Sequence, residues 1–317
     1  MYIFPPASMA AAAAAVLKRT FSGNAGALPF SSRLVMVVRH GETDWNAQLR
    51  VQGRTDIELN DTGLSQAAAS AVAIARMIGS RRNDFQTSTA ETRSLLSTSK
   101  SPSVIYTSTL KRARDTGVAI ADALGSTIRT DPGLNEWNLG SLEGLTKDEA
   151  SVSCHEDWKI FRQWCDGGDV SAEHAETPIS GDGESMDDVR HRSVACLETA
   201  IKQSSLENHD DSLIVAVTHG GVLGQLLRHC TMENNRRDDL PQRGSLERNT
   251  SASITNGTTV QPQHTRKYAR ASNACISIFL VTPGDTKTSQ LQWSILSWAD
   301  TSHLTGDDKP ISAHYEK

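Results

Sequence analysis

Two short runs of β-prone apolar residues, 34–38 (LVMVV) and 213–217 (LIVAV), each lead straight into a histidine and a glycine. The first continues as Arg39-His40-Gly41-Glu42-Thr43 and the second as Thr218-His219-Gly220-Gly221. An unbroken apolar run of this length suits a strand buried on both faces, as in the middle of an α/β sheet. Ligands of open α/β sheets bind at the carboxyl ends of the strands. Both imidazoles therefore belong on one rim, where each glycine lets the backbone approach a ligand closely. A helix follows the second histidine, and its free amides point toward the same crevice.

A third strand starts at Val104-Ile105-Tyr106 and passes through Ser108-Thr109 into a helix over about 110–124. Arg112 falls in the first turn of that helix, where the macrodipole favours acids rather than bases. A cation set against the dipole suggests an anion to be held, and Arg39 supplies a second guanidinium fork. Two arginines, two histidines and helix amides around one point describe a phosphate pocket. No H-E-x-x-H or paired-aspartate motif accompanies them, so guanidinium groups take the charge-neutralising part, with no metal and no cofactor. A histidine nucleophile must be neutral to attack, and neighbouring cations favour that form. His40 beside Arg39 meets this condition and can pass through a phosphohistidine. His219 can donate hydrogen bonds to the transferring group, and Glu136, in the loop Leu134–Gly140, is a candidate proton donor.

Between these points the sequence reads as alternating elements. Asn60 or Asp61 caps a helix over 64–78, residues 148–164 are helical, and Ser185 with Asp188 forms a capping box for a helix reaching about 203. A helix spans 220–230, and regular structure returns at 275–281 and 291–298, the latter an outer strand. Strands alternating with helices predict an α/β fold, a three-layer helix–sheet–helix sandwich with a mostly parallel sheet. One domain over 34–304 is expected, with flexible, low-complexity inserts at 79–102 and 234–272 and a tail over 305–317. Such inserts account for a hydrophobic fraction of 38% and an aromatic fraction of 5%.

Charge and cysteine content narrow the class further. A net charge of −5 argues against a general electrostatic grip on nucleic acid. Five cysteines, an odd number without a C-x-x-C pair, argue against a disulfide scaffold or structural zinc and fit a reducing compartment. No stretch approaches a membrane span, so a soluble globular protein with no membrane partner is expected. Residues 1–33 contain no Asp or Glu and carry an alanine run before Lys18-Arg19. That is the composition of an organelle transit segment, mitochondrial or plastid, with a cytoplasmic location as the alternative.

Arg39–Asn46, Gln52-Gly53-Arg54, Leu59–Gly63, Ser108–Thr116, Glu136–Gly144, Gly183-Glu184-Ser185 and Thr218–Gly221 together resemble the histidine phosphatase superfamily, phosphoglycerate mutase-like branch. The tail containing Trp293–Trp298 and Ser302-His303-Leu304 is similar to that of plant phosphoglycerate mutase-like proteins. The resemblance implies His40 as phosphoacceptor, Arg39, Arg112 and His219 as phosphate pocket, Asn46 as a further contact and Glu136 as proton donor and acceptor. It extends the substrate-binding set to Gly41, Glu42, Thr43, Gln52, Gly53 and Gly220. The partner it implies is a small phosphorylated metabolite. Mutases of the family tend to carry Gly-Asn after the second histidine and Arg-His-Tyr after the acid. Here Gly220-Gly221 and Trp137-Asn138-Leu139 stand instead, which favours hydrolysis over phosphoryl shuttling. A mutase and a catalytically idle phosphate-binding scaffold remain the alternatives, and the sequence fixes neither substrate nor oligomeric state.

Overall fold

A computed structural model of the chain describes residues 32–78, 90–166, 170–206, 213–238, 271–284 and 290–309. The strands are β1 (Arg33–Arg39), β2 (Val104–Thr107), β3 (Thr127–Thr130), β4 (Leu213–Thr218), β5 (Ile276–Pro283) and β6 (Leu291–Asp300). The helices are α1 (Asp44–Ala47), α2 (Asp61–Met77), α3 (Ala90–Thr98), α4 (Lys111–Leu124), α5 (Lys147–Ser153), α6 (His155–Asp166), α7 (Ala172–Glu176), α8 (Met186–Leu206) and α9 (Gly220–Asp238). One six-stranded sheet runs in the order β3-β2-β4-β1-β5-β6. The first four of these strands are mutually parallel, and β5 and β6 add an antiparallel edge. The expected mostly parallel, three-layer α/β architecture is the one observed.

The central strands explain their own apolar runs. Along β1, Val35 and Val37 enter one hydrophobic cluster, with Leu197, Leu223 and the aromatic group around Trp137. Leu34, Met36 and Val38 enter the opposite cluster, with Ile74 and Met77 of α2 and Ile120 of α4. The strand has no solvent face, because successive side chains point to opposite sides of a sheet covered on both. Truncating one of these buried Leu or Met side chains to Ala would cost about 2–5 kcal/mol.

Several boundaries differ from the sequence reading. The region 79–102 was expected as one flexible insert, yet Ala90–Thr98 is helical and buries Leu95 and Leu96 against the α2 side. Residues 79–89 lie outside the described residues. The helix expected over 148–164 is two, with α5 ending at Ser153, capped by Cys154, and α6 starting at His155. Between α6 and α8 stands the short α7, capped by Ser171, which the sequence reading did not give. Helix α9 continues to Asp238, into the start of the second expected insert, whose residues 239–270 lie outside the described residues. Strand β3 has no counterpart in the sequence reading. Its pattern is mostly exposed, because it forms an edge, and it carries no apolar run to announce it.

Strand order places the site. β4 pairs in parallel with β2 on one side and β1 on the other, with Thr107 level with Val217 and Arg39 level with Thr218. The three strands thus end side by side. Beyond the ladder, Ser108 N–H donates to Val217 O at 3.0 Å and His40 N–H donates to Thr218 O at 3.0 Å. Among the described residues no helix is long and apolar enough to cross a membrane.

Candidate active site

His40 and His219 meet at this rim with ring centroids 5.0 Å apart and planes tilted by 58°. Both rings are buried. His40 Nδ1 lies 2.6 Å from the carbonyl of Gly41. A carbonyl only accepts, so Nδ1 carries the proton and, in the neutral ring, Nε2 is left with its lone pair. Burial lowers the His40 pKa well below the ordinary imidazole value, and the charges of Arg112 and Arg39 lower it further, against the bond to Gly41. His219 is lowered in the same direction by burial, then by Arg112, His40 and Arg39. Its Nε2 lies 2.8 Å from Ser108 Oγ, and its Nδ1 is buried without a hydrogen-bond partner.

Arg112 enters from the first turn of α4 and is fully buried. Its Nη1 donates to Thr55 O and its Nη2 to Gly53 O, both at 2.8 Å, while Nε is buried without a partner. Desolvation lowers its pKa to about 10, so the guanidinium stays cationic at neutral pH. Arg39 donates from Nη1 to Ala271 O at 2.6 Å. Its guanidinium packs on Gly220 at the start of α9, where an added Cβ would stand 3.4 Å from Arg39 Cζ.

Glu136 completes the rim. Its Oε1 accepts from Gly221 N–H at 3.0 Å and from its neighbour Trp137 N–H at 2.8 Å. The carboxyl group therefore sits against a free amide opening α9, that of Gly221. Gly221 is what allows it: an added Cβ would lie 2.4 Å from Glu136 Oε1.

The two glycines read as points of ligand approach have other contacts. An added Cβ on Gly41 would stand 2.3 Å from Gly63 O, so this glycine lets the His40 loop press on the first turn of α2. Gly220 lies beside the Arg39 guanidinium at ordinary contact distance, so close backbone approach is required at Gly41 alone of the two.

The remaining residues of the expected set hold the loops. Glu42 accepts from Asn60 Nδ2 at 3.1 Å, and its N–H donates to Gln66 Oε1 at 2.9 Å. Thr43 caps α1 in a reciprocal box with Asn46, and its hydroxyl donates to Gln52 Oε1 at 3.0 Å. Asn46 Oδ1 accepts from Thr43 and from Asn273 Nδ2, the latter at 3.0 Å. Asn273 Nδ2 also donates to His40 O and Gly41 O, tying α1 to the histidine's own backbone. Gly53 has φ +53°. An added Cβ there would lie 2.0 Å from Glu143 Oε1, so its carbonyl reaches Arg112 only because it is glycine.

Behind the rim lies a network that reading along the sequence did not find. Arg192 of α8 donates to the carbonyls of Gly133, Asn135 and Glu136 and to both carboxylate oxygens of Glu184. Arg54 donates to Glu136 O and to Glu184 Oε1. The two arginines hold the Glu184 carboxyl below its usual range despite burial. Glu143 accepts from the backbone N–H groups of Arg54, Thr55 and Leu139. The Glu136 loop is thus clamped at its main chain while its carboxylate faces the rim. Gly183-Glu184-Ser185 is partly the cap expected, since Ser185 and Asp188 bond reciprocally, but Glu184 is the centre of the clamp. Trp137 and Trp158 are core residues: Trp137 is fully buried, tilted against Phe161 and edge-on to Trp164. Among the described residues no group of three or more His, Cys, Asp or Glu side chains is arranged to hold a metal ion.

This arrangement fits its resemblance to known proteins. The model of the histidine phosphatase superfamily (branch 1) matches residues 35–83 and 86–263. Phosphoglycerate mutase-like protein 4 of Arabidopsis thaliana is 31% identical over 271 residues, 85% of this chain and 86% of that protein. The metal-independent phosphoserine phosphatase of the same plant is 33% identical over 202 residues, 63% of this chain and 70% of that protein. A solved mycobacterial glucosyl-3-phosphoglycerate phosphatase in complex with VO3 shares the fold, with a TM-score of 0.55 at 22% identity over 84% of this chain and 98% of that one. Two matched strands that end in histidines on one rim, and a family model covering most of the chain, lead to one conclusion: the chain belongs to the histidine phosphatase superfamily.

Proposed function

We propose that this protein is a metal-independent phosphatase that hydrolyses small phosphorylated metabolites through a phosphohistidine on His40. The observation that carries the reading is the 2.6 Å contact from His40 Nδ1 to Gly41 O, which leaves Nε2 as the free nucleophile in a ring that burial and two guanidinium groups keep neutral. In the first step the Nε2 lone pair forms a bond to phosphorus as the bond from phosphorus to the ester oxygen breaks. Glu136, entering protonated, gives its proton to the departing oxygen. In the second step water attacks the phosphohistidine and yields its proton to the Glu136 carboxylate. The N–P bond then returns its electron pair to His40, releasing inorganic phosphate. Arg112, Arg39 and His219 face the charge that builds on the phosphoryl oxygens.

The names of two relatives, a phosphoserine phosphatase and a glucosyl-3-phosphoglycerate phosphatase 31% identical over 199 residues, support a hydrolase acting on a small phosphate monoester. The substrate-binding set is Arg39, His40, Gly41, Glu42, Thr43, Asn46, Gln52, Gly53, Arg112, Glu136, His219 and Gly220, with the loop residues among them acting through the side chains they hold. The domain extends over 34–304, and the acid-poor leader supports import into a mitochondrion or plastid.

The test is a screen of phosphoserine, phosphoglycerates and sugar phosphates with EDTA present, wild type against His40→Ala. Release of inorganic phosphate by the wild type alone is the expected result. Turnover retained by the variant would remove the mechanism, and loss of wild-type activity in EDTA would remove metal independence. With 3-phosphoglycerate, formation of 2-phosphoglycerate in place of free phosphate would make the protein a mutase.

A further inference from the structure

We infer that Ser108 is a positioning residue: its hydroxyl turns from Asn135 to His219 and so fixes the imidazole as a neutral donor from Nδ1 to the bound phosphoryl group. The inference rests on the phosphate-pocket reading above. Ser108 Oγ lies 2.8 Å from His219 Nε2 and 2.8 Å from Asn135 Oδ1, and Leu110 N–H donates to it at 3.1 Å. A hydroxyl has one proton, so it can serve only one of the two acceptors at a time. The Asn135 atom is the oxygen, because it accepts from Thr109 N–H at 2.8 Å. It also accepts from the Thr109 hydroxyl at 2.9 Å. Thr109 alone therefore fills both lone pairs of Asn135, and the Ser108 proton is available elsewhere.

The two positions of that proton set opposite tautomers. When Ser108 donates to Asn135, His219 must carry its proton on Nε2, and a neutral ring then has a bare lone pair on Nδ1. When Ser108 donates to Nε2, the proton moves to Nδ1. Nδ1 is the buried ring atom without a partner in the protein, and so the one left to meet a phosphoryl oxygen. A bare lone pair there would repel the anion, whereas an N–H would bind it. A second proton on the ring would also supply that donor. The groups acting on His219 are Arg112 from α4, Arg39 and His40 from the end of β1, and Arg192 from α8, and all of them oppose a positive ring. Rotation of a hydroxyl gives the same donor without adding charge.

Nitrogen NMR of protein labelled with ¹⁵N-histidine, with His219 assigned by its loss in His219→Ala, tests this directly. On adding inorganic phosphate at pH 7.5, His219 should show a protonated Nδ1 and a bare Nε2. Ser108→Ala should lose that pattern and lower kcat on the order of 10- to 100-fold. That is less than the 10²–10³ typical of deleting an oxyanion donor, since the ring itself remains. Ser108→Thr, which keeps the hydroxyl, should restore both. A phosphate-bound ring protonated on Nε2 or on both nitrogens would overturn the inference and leave the pocket reading intact. If phosphate perturbed neither imidazole, the pocket reading would fail and this inference with it.

Discussion

Lowering the pH from 7.5 to 5.0 should lower the folding stability, by about 2 kcal/mol through His303 and further through His40 and His219, three buried imidazoles that the fold keeps neutral. His40 and His219 are held well below the ordinary imidazole pKa, mainly by burial and then by Arg112. His303, against Ser70 at 3.1 Å, is lowered to about 4, again by burial, with a backbone contact opposing. In the unfolded chain each ring takes up its proton near pH 6.5. The unfolded state then binds more protons than the native state, so stability falls as the pH falls. The loss starts near 6.5 and continues down to each folded pKa. At pH 5.0 a ring still neutral in the native state costs about 2 kcal/mol. Asp300, whose carboxyl burial raises, works in the opposite direction and trims the total. Urea unfolding at the two pH values, in buffers free of phosphate so that no ligand stabilises the native state, measures the difference. His303→Asn, which removes that imidazole alone, should reduce the pH-dependent loss by about 2 kcal/mol while leaving the rest. Equal stability of the wild type at both pH values would refute the claim that these rings are neutral in the native state, and with it the basis for a neutral nucleophile.

Other substitutions separate the parts of the site. Arg112→Met, which abandons Thr55 O and Gly53 O, should lower kcat/KM by about 10³–10⁵, the range of a guanidinium that stabilises a transferring phosphoryl group. The acid limb of any residual pH profile should move up, because the lost cation opposes protonation of His40. Gly221→Ala places a methyl 2.4 Å from Glu136 Oε1 and should cut kcat by about 10²–10⁴ by displacing the acid–base carboxylate. Its stability should change by only about 1 kcal/mol, since alanine is the better helix former; a thermal melt and steady-state kinetics on one preparation check both halves. Arg192→Met should cost about 3 kcal/mol in urea unfolding, as it leaves Glu184 and three loop carbonyls short of a donor.

The parts of this fold that could be read from the sequence are those whose burial is written locally. LVMVV and LIVAV are unbroken because β1 and β4 are covered on both faces, and a histidine at the end of each is visible without any knowledge of pairing. Arg112 stood out because it opposes a helix dipole within its own turn. β3 was hidden because an exposed edge strand needs no apolar pattern, and α3 because its two buried leucines sit in a stretch dominated by Ser, Thr and Arg. The clamp around the Glu136 loop draws on Arg54, Glu143, Glu184 and Arg192, whose meeting depends on tertiary packing that no spacing rule encodes. Arg192 lies within a helix eight residues after Glu184, too far for a pair on one helical face. At Gly41 the demand for close approach is legible in the sequence, but the meeting with Gly63 O depends on how α2 packs. Ser108 and Asn135 flank residues that did attract attention, and only the proximity of β2 to β4 brings them to His219.

The central claim is a bond between phosphorus and His40 Nε2. Rapid mixing of the enzyme with a turned-over phosphate monoester, quenching in alkaline denaturant to preserve an acid-labile N–P bond, and peptide mass spectrometry would locate it. A phosphoryl group on His40 that appears within one turnover, decays as phosphate is released and is absent from His40→Ala is the predicted result. Label on any other residue, or undiminished turnover with no labelled histidine, would contradict the account.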